Sequence, residues 1–146
     1  MTIRIHLPRC VALPYDAGMP KYPDISVKLI MRVGDAVCLY ERDNGRHDFP
    51  GGRIEWGESP ETALKRELKE ELDYTLTAKP ELRYVWNYVW EDNSRHSVFI
   101  YYGIVLKRRP NLTTTDEEKD AHVVWLTSSA LLDLTHDPEF VGKAFA

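Results

Sequence analysis

The chain has 146 residues, a length typical of a single domain. It is 43% hydrophobic and 29% charged, which supplies enough apolar material for a core and excludes intrinsic disorder. Nineteen Lys and Arg residues stand against 23 Asp and Glu residues, so the net charge is −4 and we expect no nucleic-acid partner. We therefore expect one domain over residues 1–146, with any phosphate-binding groups confined to a local site.

From the sequence we expect neither membrane insertion nor export. Its longest strongly apolar stretch, residues 98–106, is far shorter than the roughly 20 residues of a membrane-spanning helix. Residues 1–11 alternate apolar and polar side chains, unlike a secretory signal. Cys10 and Cys38 match no zinc spacing with the histidines. We interpret both as buried thiols of a protein in the reducing cytoplasm.

The N-terminal half predicts strands followed by a helix. A short strand at residues 3–7 precedes a loop at 14–23 that is rich in proline, glycine and aspartate. Apolar runs at 25–33 and 36–41, joined by Gly34 and Asp35, predict a hairpin. After a tight turn at Asn44 and Gly45, Ser59 is the expected N-cap of a helix that runs to about Leu72.

The C-terminal half predicts a second hairpin, a short strand and more helix. The hairpin strands cover residues 82–90 and 96–106 and flank a polar turn at 91–94. An acidic loop through Asp120 leads to a strand at 123–126, a helix from 128 to about 134 and a helical tail. Strands on both sides of a central helix predict an α/β fold, with a mixed sheet covered by helices on both faces.

Three glutamates on the central helix are the first candidates for chemistry. Glu67, Glu70 and Glu71 are spaced i, i+3 and i+4, so their side chains emerge within about a quarter turn. They lie beside the apolar stripe formed by Leu64, Leu68 and Leu72. Like charges so close together repel unless a cation neutralises them, and oxygen ligands favour Mg²⁺ or Mn²⁺. The spacing alone is more typical of a solvated acidic face than of a metal site.

The residues around this helix add to the metal hypothesis. Gly51 and Gly52 allow a sharp turn and a close approach of the backbone, so that a main-chain carbonyl could join a metal's ligands. Arg66 is placed i, i+4 from Glu70, where a bidentate pair would hold the carboxylate. These features favour a metal site over a solvated face.

Residues 52–74 resemble the signature of the Nudix hydrolases. That signature is a glycine, five residues, a glutamate, seven residues, then Arg-Glu-apolar-any-Glu-Glu-any-Gly-apolar. The matching positions are Gly52, Glu58, Arg66, Glu67, Leu68, Glu70, Glu71 and Tyr74. Asp73 stands where the family has glycine. Because aspartate tolerates the left-handed conformation better than most residues, we expect the fold to survive this change.

The resemblance implies an α/β/α sandwich with a loop-helix-loop catalytic motif. It also implies hydrolysis of a nucleoside diphosphate linked to another moiety, with Mg²⁺ or Mn²⁺ as cofactor, and is compatible with a homodimer. By position, the implied metal ligands are Glu67, Glu70, Glu71 and the Gly51 carbonyl. Arg66 and Glu58 are implied to support the helix and its loop, beside Gly52.

The general base stays open between two parts of the chain. Within the family the base comes from the motif or from a later loop, so Glu70 competes with Glu117 and Glu118. The charge run that contains Glu117 and Glu118 is also typical of an exposed loop without a catalytic role.

Other residues are candidates for substrate contact. Four aromatic side chains recur at every second position and would share one face of a strand: Tyr84, Trp86, Tyr88 and Trp90. Most of them are expected to fill the layer between sheet and helix, and Trp86 and Tyr88 are the candidates for contacting a base. Arg42 and Arg46 are either phosphate ligands or surface charges.

Two functions of different classes follow. The first is a Mg²⁺-dependent pyrophosphohydrolase that acts on a small nucleotide: a nucleoside triphosphate, ADP-ribose or a nucleotide sugar. The second is a non-catalytic Nudix-like module that binds a nucleotide as a regulatory signal, for which the only support is Asp73. RNA-end processing is disfavoured by the acidic balance.

Overall fold

The structure is a computed structural model that describes residues 22–89, 91, 95–116, 120–135 and 138–146. Several predictions lie outside the described residues: the strand at 3–7, most of the loop at 14–23, Cys10, Trp90, the turn residues 92–94, Glu117 and Glu118.

The strands and helices follow the chain order expected from the sequence. Their bounds are β1 Asp24–Val33, β2 Ala36–Arg42, β3 His47–Asp48, α1 Pro60–Leu72, β4 Glu81–Val89, β5 His96–Leu106, β6 Ala121–Thr127, α2 Ser128–Thr135 and α3 Pro138–Phe145. Only the two-residue strand β3 has no counterpart among the predicted elements, because so short a segment leaves no periodic pattern. None of the helices in the described ranges has the length and apolarity needed to cross a membrane.

Helix α1 begins and ends where its capping residues predict. The Ser59 side chain accepts a hydrogen bond from the backbone N–H of Thr62 at 3.1 Å, and Pro60 occupies the first helical position. At the other end Asp73 adopts the left-handed conformation, with φ 50° and ψ 30°. Its N–H donates to the Lys69 carbonyl, and the N–H of Tyr74 donates to that of Leu68. Aspartate thus takes the backbone role of the family glycine.

Within the described residues the strands form one mixed sheet of six. Five of them are ordered β3-β2-β1-β5-β4, and β6 pairs with β2. Strand β1 runs parallel to β5 over their paired length, and the other strand pairs are antiparallel.

Strands β1 and β2 diverge, and this divergence makes room for the candidate site. Their hairpin is paired only next to its turn, where Arg32 lies opposite Val37 and Val33 opposite Ala36. Further along β1 the chain segment 50–54 takes the place of β2. The N–H groups of Val27 and Leu29 donate to carbonyls of this segment at 2.8 Å, and the N–H of Ile54 donates to the Ile25 carbonyl at 2.9 Å. The two glycines of the motif are therefore held against β1 by backbone bonds.

Helices cover both faces of the sheet. On one face α1 buries Leu64, Leu68 and Leu72, the predicted apolar stripe, against alternate residues of β1 and β2. On the other face α2 contributes Leu131, and α3 contributes Val141 and Ala144. This arrangement confirms the predicted α/β fold with a mixed sheet between helical layers.

Candidate functional site

The carboxylates of Glu67 and Glu71 meet the glycine turn from helix α1. The N–H of Gly51 donates to Glu71 Oε2 at 3.0 Å. A Cβ added to Gly52 would lie 2.5 Å from the carboxylate carbon and both oxygens of Glu67. A Cβ on Gly51, where φ is 122°, would lie 2.3 Å from the Val27 carbonyl oxygen. Only glycines allow the turn to approach both β1 and the two carboxylates so closely.

Glu71 is a buried carboxylate with defined partners. Its side chain accepts a hydrogen bond from the Tyr40 hydroxyl at 3.0 Å as well as from Gly51. The residue lies at the edge of the apolar stripe, as predicted, and is only 8% exposed. Hydrogen bonds to a carboxylate stabilise its charged form, so these two donors compensate for burial.

Arg66 connects the acidic side chains of the motif. Its Nε and Nη2 donate to the two oxygens of Glu58 at 2.8 and 2.9 Å. Its Nη1 donates to both Glu67 and Glu70 at 2.9 Å. The bidentate partner is therefore Glu58, whereas the helix spacing had suggested Glu70. Arg66 also supplies two of the three glutamates with a protein cation, so repulsion between them does not by itself require a metal.

This network separates the pKa values of two carboxyl groups. The hydrogen bonds from Arg66, and then that from the Glu55 N–H, lower the pKa of Glu58 to about 2. The pKa of Glu67 is raised above its usual range, mainly by burial and further by Glu70, against the opposing effects of Arg66 and Lys28. Glu67 is thus the carboxyl group with the larger desolvation cost.

Lys28, a buried residue on the face of β1 opposite to α1, was not identified from the sequence. Its Nζ donates to Asp48 Oδ2 at 2.6 Å and to the carbonyls of Phe49 and Gly51 at 3.2 and 2.9 Å. These contacts use all three donors of the ammonium group. A lysine in the middle of a largely apolar strand was the available signal, because a buried lysine needs a partner.

The donor chemistry of the site fits a hard divalent cation. Carboxylates from one helix and a carbonyl from the facing turn are oxygen donors, which Mg²⁺ and Mn²⁺ prefer. Glu67 and Glu71 reach that turn directly, and the Gly51 carbonyl that accepts from Lys28 has a second lone pair. Across the described ranges, however, no three His, Cys, Asp or Glu side chains converge as a ready metal-binding group.

The loop after β5 is attached to the C-terminal end of α1. The N–H groups of Thr113 and Thr115 donate to the carbonyls of Leu72 and Glu71 at 3.3 and 3.0 Å. The Thr115 hydroxyl also donates to the Glu70 carbonyl. These bonds satisfy carbonyls that a helix end leaves without partners.

A large cavity lies on the sheet face covered by α2 and α3. It has a volume of about 690 Å³, and its aromatic lining includes Phe49, Tyr84, Trp86, Tyr101 and Phe140. Tyr84 stacks on Tyr101 with ring centroids 4.4 Å apart, within the core layer as expected. Trp86, in contrast, lines the cavity and keeps 49% of its surface exposed.

A smaller, polar cavity of about 250 Å³ adjoins the glycine turn. Lys28, Gly52, Arg53, Tyr88 and Arg95 contribute to its lining. Asp48 lines both cavities, so the two are neighbours on the same sheet face. The alternation predicted for β4 therefore places Trp86 at the large cavity and Tyr88 at the small one.

Arg42 and Arg46 lie at neither cavity. The Arg42 N–H donates to the Arg46 carbonyl at 2.9 Å, across the turn between β2 and β3. The Arg42 guanidinium lies 3.7 Å from Asp120 Oδ1. Arginines at the small cavity, Arg53 and Arg95, were not selected from the sequence as substrate contacts.

Part of the chain is similar in sequence to curated proteins. An 8-oxo-dGTP diphosphatase of Escherichia coli (strain K12) is 39% identical over 56 residues, which cover 35% of this chain and 43% of that protein. The chain spans less than half the length of the curated relatives it matches. These matches are therefore partial.

Solved structures show the same fold at low sequence identity. A MutT NUDIX hydrolase from Burkholderia pseudomallei superposes with a TM-score of 0.67 at 21% identity, covering 75% of this chain and 87% of that one. A MutT protein from Methanosarcina mazei Go1 gives 0.68 at 18% identity, covering 86% and 92%. The family model for the NUDIX domain matches residues 23–143, and the chain therefore belongs to the NUDIX family that its motif predicts.

Proposed function

We propose that this protein is a Nudix pyrophosphohydrolase that cleaves a pyrophosphate bond in a small nucleotide, with Mg²⁺ or Mn²⁺ as cofactor. The observation that carries the proposal is the contact of the Glu67 and Glu71 carboxylates with the Gly51-Gly52 turn, next to two cavities. A phosphate chain that crosses this turn would lie beside hard oxygen donors. The large aromatic cavity and the small cavity with its basic residues would remain for the rest of the substrate.

The residues that would hold the cation are Glu67, Glu70, Glu71 and the carbonyl of Gly51. When bound, the cation neutralises charge on the phosphates and lowers the pKa of a water molecule. The protein's own task is to keep the ligands in place. Arg66 positions Glu67 and Glu70, and Tyr40 and the Gly51 N–H position Glu71.

For the proton of the attacking water we keep two candidate acceptors, Glu70 and Glu118. Glu70 is favoured by its exposure, because 41% of its side chain is accessible although it is bonded to Arg66. Glu118 is favoured by chain connectivity. It follows Thr115 by three residues, and Thr115 is bonded to the backbone of Glu70 and Glu71.

We assign the nucleobase to the large cavity. Its volume of about 690 Å³ lies within the range of about 300 to 1,000 Å³ that is typical of small-molecule sites. The half-exposed ring of Trp86 offers a stacking surface, and Phe49 and Tyr101 form an apolar floor. Nucleoside triphosphates, ADP-ribose and nucleotide sugars all contain a base for this cavity. The 8-oxo-dGTP diphosphatase relative adds weight to triphosphates.

The deciding experiment is a phosphate-release screen across a nucleotide library with Mg²⁺ or Mn²⁺, with and without an auxiliary phosphatase. We expect release from at least one compound, loss of activity with a chelator, and a fall of about a hundredfold or more for Glu67→Gln. Glu61→Gln is the matched control, because Glu61 is an exposed carboxylate in the first turn of the same helix. Full activity of Glu67→Gln under chelation would contradict the proposal.

Calorimetry on the same library tests the regulatory-module hypothesis. Nucleotide binding without any metal-dependent turnover would replace the enzymatic proposal by that second function. Metal-dependent turnover of the tightest-binding nucleotide would exclude it.

A further inference from the structure

We propose that the small cavity beside Gly52 is an anion subsite that binds the end of the substrate remote from the base, and that Arg53 and Arg95 determine its preference for a phosphate. This inference rests on the proposed function for the orientation of the substrate. The existence of the anion subsite can be tested without turnover.

The charges around the cavity do not balance. Lys28 is paired with Asp48 at 2.6 Å. Arg53 and Arg95 share a single carboxylate oxygen, Asp24 Oδ2, at 3.4 and 2.7 Å. Among the residues that the structure describes at this cavity, one carboxylate faces two guanidinium groups, so an excess positive charge remains there in a protein whose net charge is −4. Guanidinium groups bind phosphate oxygens through bidentate, charge-assisted hydrogen bonds.

The floor of the cavity is polar as well. Ser26 and Ser97 line it from the neighbouring strands β1 and β5 and are only 6% and 3% exposed. Both guanidinium groups are accessible above this floor, since the side chains of Arg53 and Arg95 are 62% and 43% exposed. An entering anion would therefore meet exposed charged groups above and hydroxyl groups below.

The position of the cavity defines which part of a substrate reaches it. Gly52 lines the cavity, and the Cα of the same residue faces the Glu67 carboxylate. Asp48 separates the cavity from the large aromatic one and lines both. With the base in the aromatic cavity and the scissile bond at the glycine turn, the remaining group would enter the small cavity. A terminal phosphate matches its charge, whereas a neutral sugar does not.

The first test measures binding of inorganic pyrophosphate by calorimetry in the presence of EDTA, so that neither metal nor turnover contributes. We expect Arg95→Gln to weaken binding about tenfold, through the loss of a charge-assisted contact. We expect Asp24→Asn to tighten binding severalfold, because it removes the anion that competes for both arginines. This gain cannot result from misfolding.

Arg108→Gln is the matched control. Arg108 is exposed just beyond the far end of β5, roughly 35 Å along the strand from Arg95, and its replacement makes the same change in net charge. Equal weakening by Arg95→Gln and Arg108→Gln would overturn the subsite. So would an Asp24→Asn variant that binds pyrophosphate no more tightly than the wild type, or a wild type that does not bind it.

The second test separates this inference from the proposed function. The values of kcat/KM are compared for a nucleoside triphosphate and for ADP-ribose, in the wild type and in Arg95→Gln. We expect the substitution to reduce the preference for the triphosphate about tenfold. Turnover with an unchanged preference would overturn the specificity role and leave the function standing. Pyrophosphate binding that depends on Arg95, without turnover of any nucleotide, would support the subsite and contradict the function.

Discussion

The carboxylate of Glu67 packs directly against the Cα of Gly52, which leaves no space for a side chain at that position. This contact joins the helix of the motif to its loop, although the two residues are 15 positions apart in the chain. It gives the motif glycine a specific physical role, which is to let a carboxylate lie flat against the turn.

Gly52→Ala should therefore damage the site more than the fold. The new methyl group would force out the end of a flexible side chain, so we expect the free energy of unfolding to change by less than about 1 kcal/mol. Displacement of Glu67 should reduce kcat/KM by about a hundredfold. Chemical denaturation and nucleotide turnover measure the two effects.

Two other glycines provide the comparison for this prediction. Gly51→Ala would meet the Val27 backbone, so a loss of at least about 2 kcal/mol is expected. Gly142 lies in α3 with open space around it, so Gly142→Ala should be neutral or slightly stabilising. An unfolded Gly52→Ala variant, or a fully active one, would contradict the assigned role of Gly52.

The left-handed conformation of Asp73 predicts an order of stability among substitutions. Asp73→Ala should destabilise by roughly 1 kcal/mol, because alanine lacks the tolerance of aspartate for positive φ. Asp73→Gly should lie within about 0.5 kcal/mol of the wild type, since easier backbone geometry is offset by the freedom of glycine in the unfolded chain. Denaturation midpoints of the three proteins test this order, and an alanine variant as stable as the glycine variant would contradict it.

The Glu58 carboxyl predicts a pH-dependent contribution to stability. Its folded-state pKa of about 2 lies below the ordinary value of 4.5, so its stabilising effect is complete above about pH 4.5 and is lost as the pH falls towards 2. The difference in unfolding free energy between the wild type and Glu58→Gln should therefore shrink across this interval. Glu61→Gln, outside the Arg66 network, is the control variant. A constant difference for Glu58→Gln would argue against the arginine pair as the cause.

The buried Cys38 thiol should be unreactive in the folded protein. Burial, partly offset by Arg109, raises its pKa to about 12, so only about one thiol in ten thousand is ionised at pH 8. In a Cys10→Ser background, which leaves Cys38 as the only thiol, a disulfide reagent should react only as fast as the protein opens. Reaction within seconds at pH 8, without denaturant, would contradict the burial of this side chain.

The sequence predicted features that depend on local chemistry. The ends of α1 follow from Ser59, Pro60 and Asp73, which act on the backbone of their own helix turn. The shared face of Tyr84, Trp86 and Tyr88 follows from strand alternation, which starts beyond the register shift between Leu82 and Tyr84. Neither inference required knowledge of a distant part of the chain.

What the sequence did not indicate depends on long-range pairing. Lys28 and Asp48 meet because segment 50–54 replaces β2 beside β1, and no local pattern reports that divergence. Arg95 joins the small cavity because β5 lies parallel to β1, which brings it to Asp24 across 71 residues. Arg42 and Arg46 were selected for their closeness in sequence to the glycines, but the pairing of β2 with β3 places them at the turn between these strands.

The parallel pairing of β1 with β5 also has a kinetic consequence. β1 holds the glycine turn on one edge, but its other edge is completed only by a strand more than 60 residues further along the chain. Closing so large a loop has a high entropic cost, so the pairing of β1 with β5 is expected to form slowly. It also cannot form before β5 has left the ribosome. During synthesis the acidic helix would exist before the strand that supports its glycine partner is anchored. We therefore expect the candidate site to be among the last parts of the nascent chain to mature.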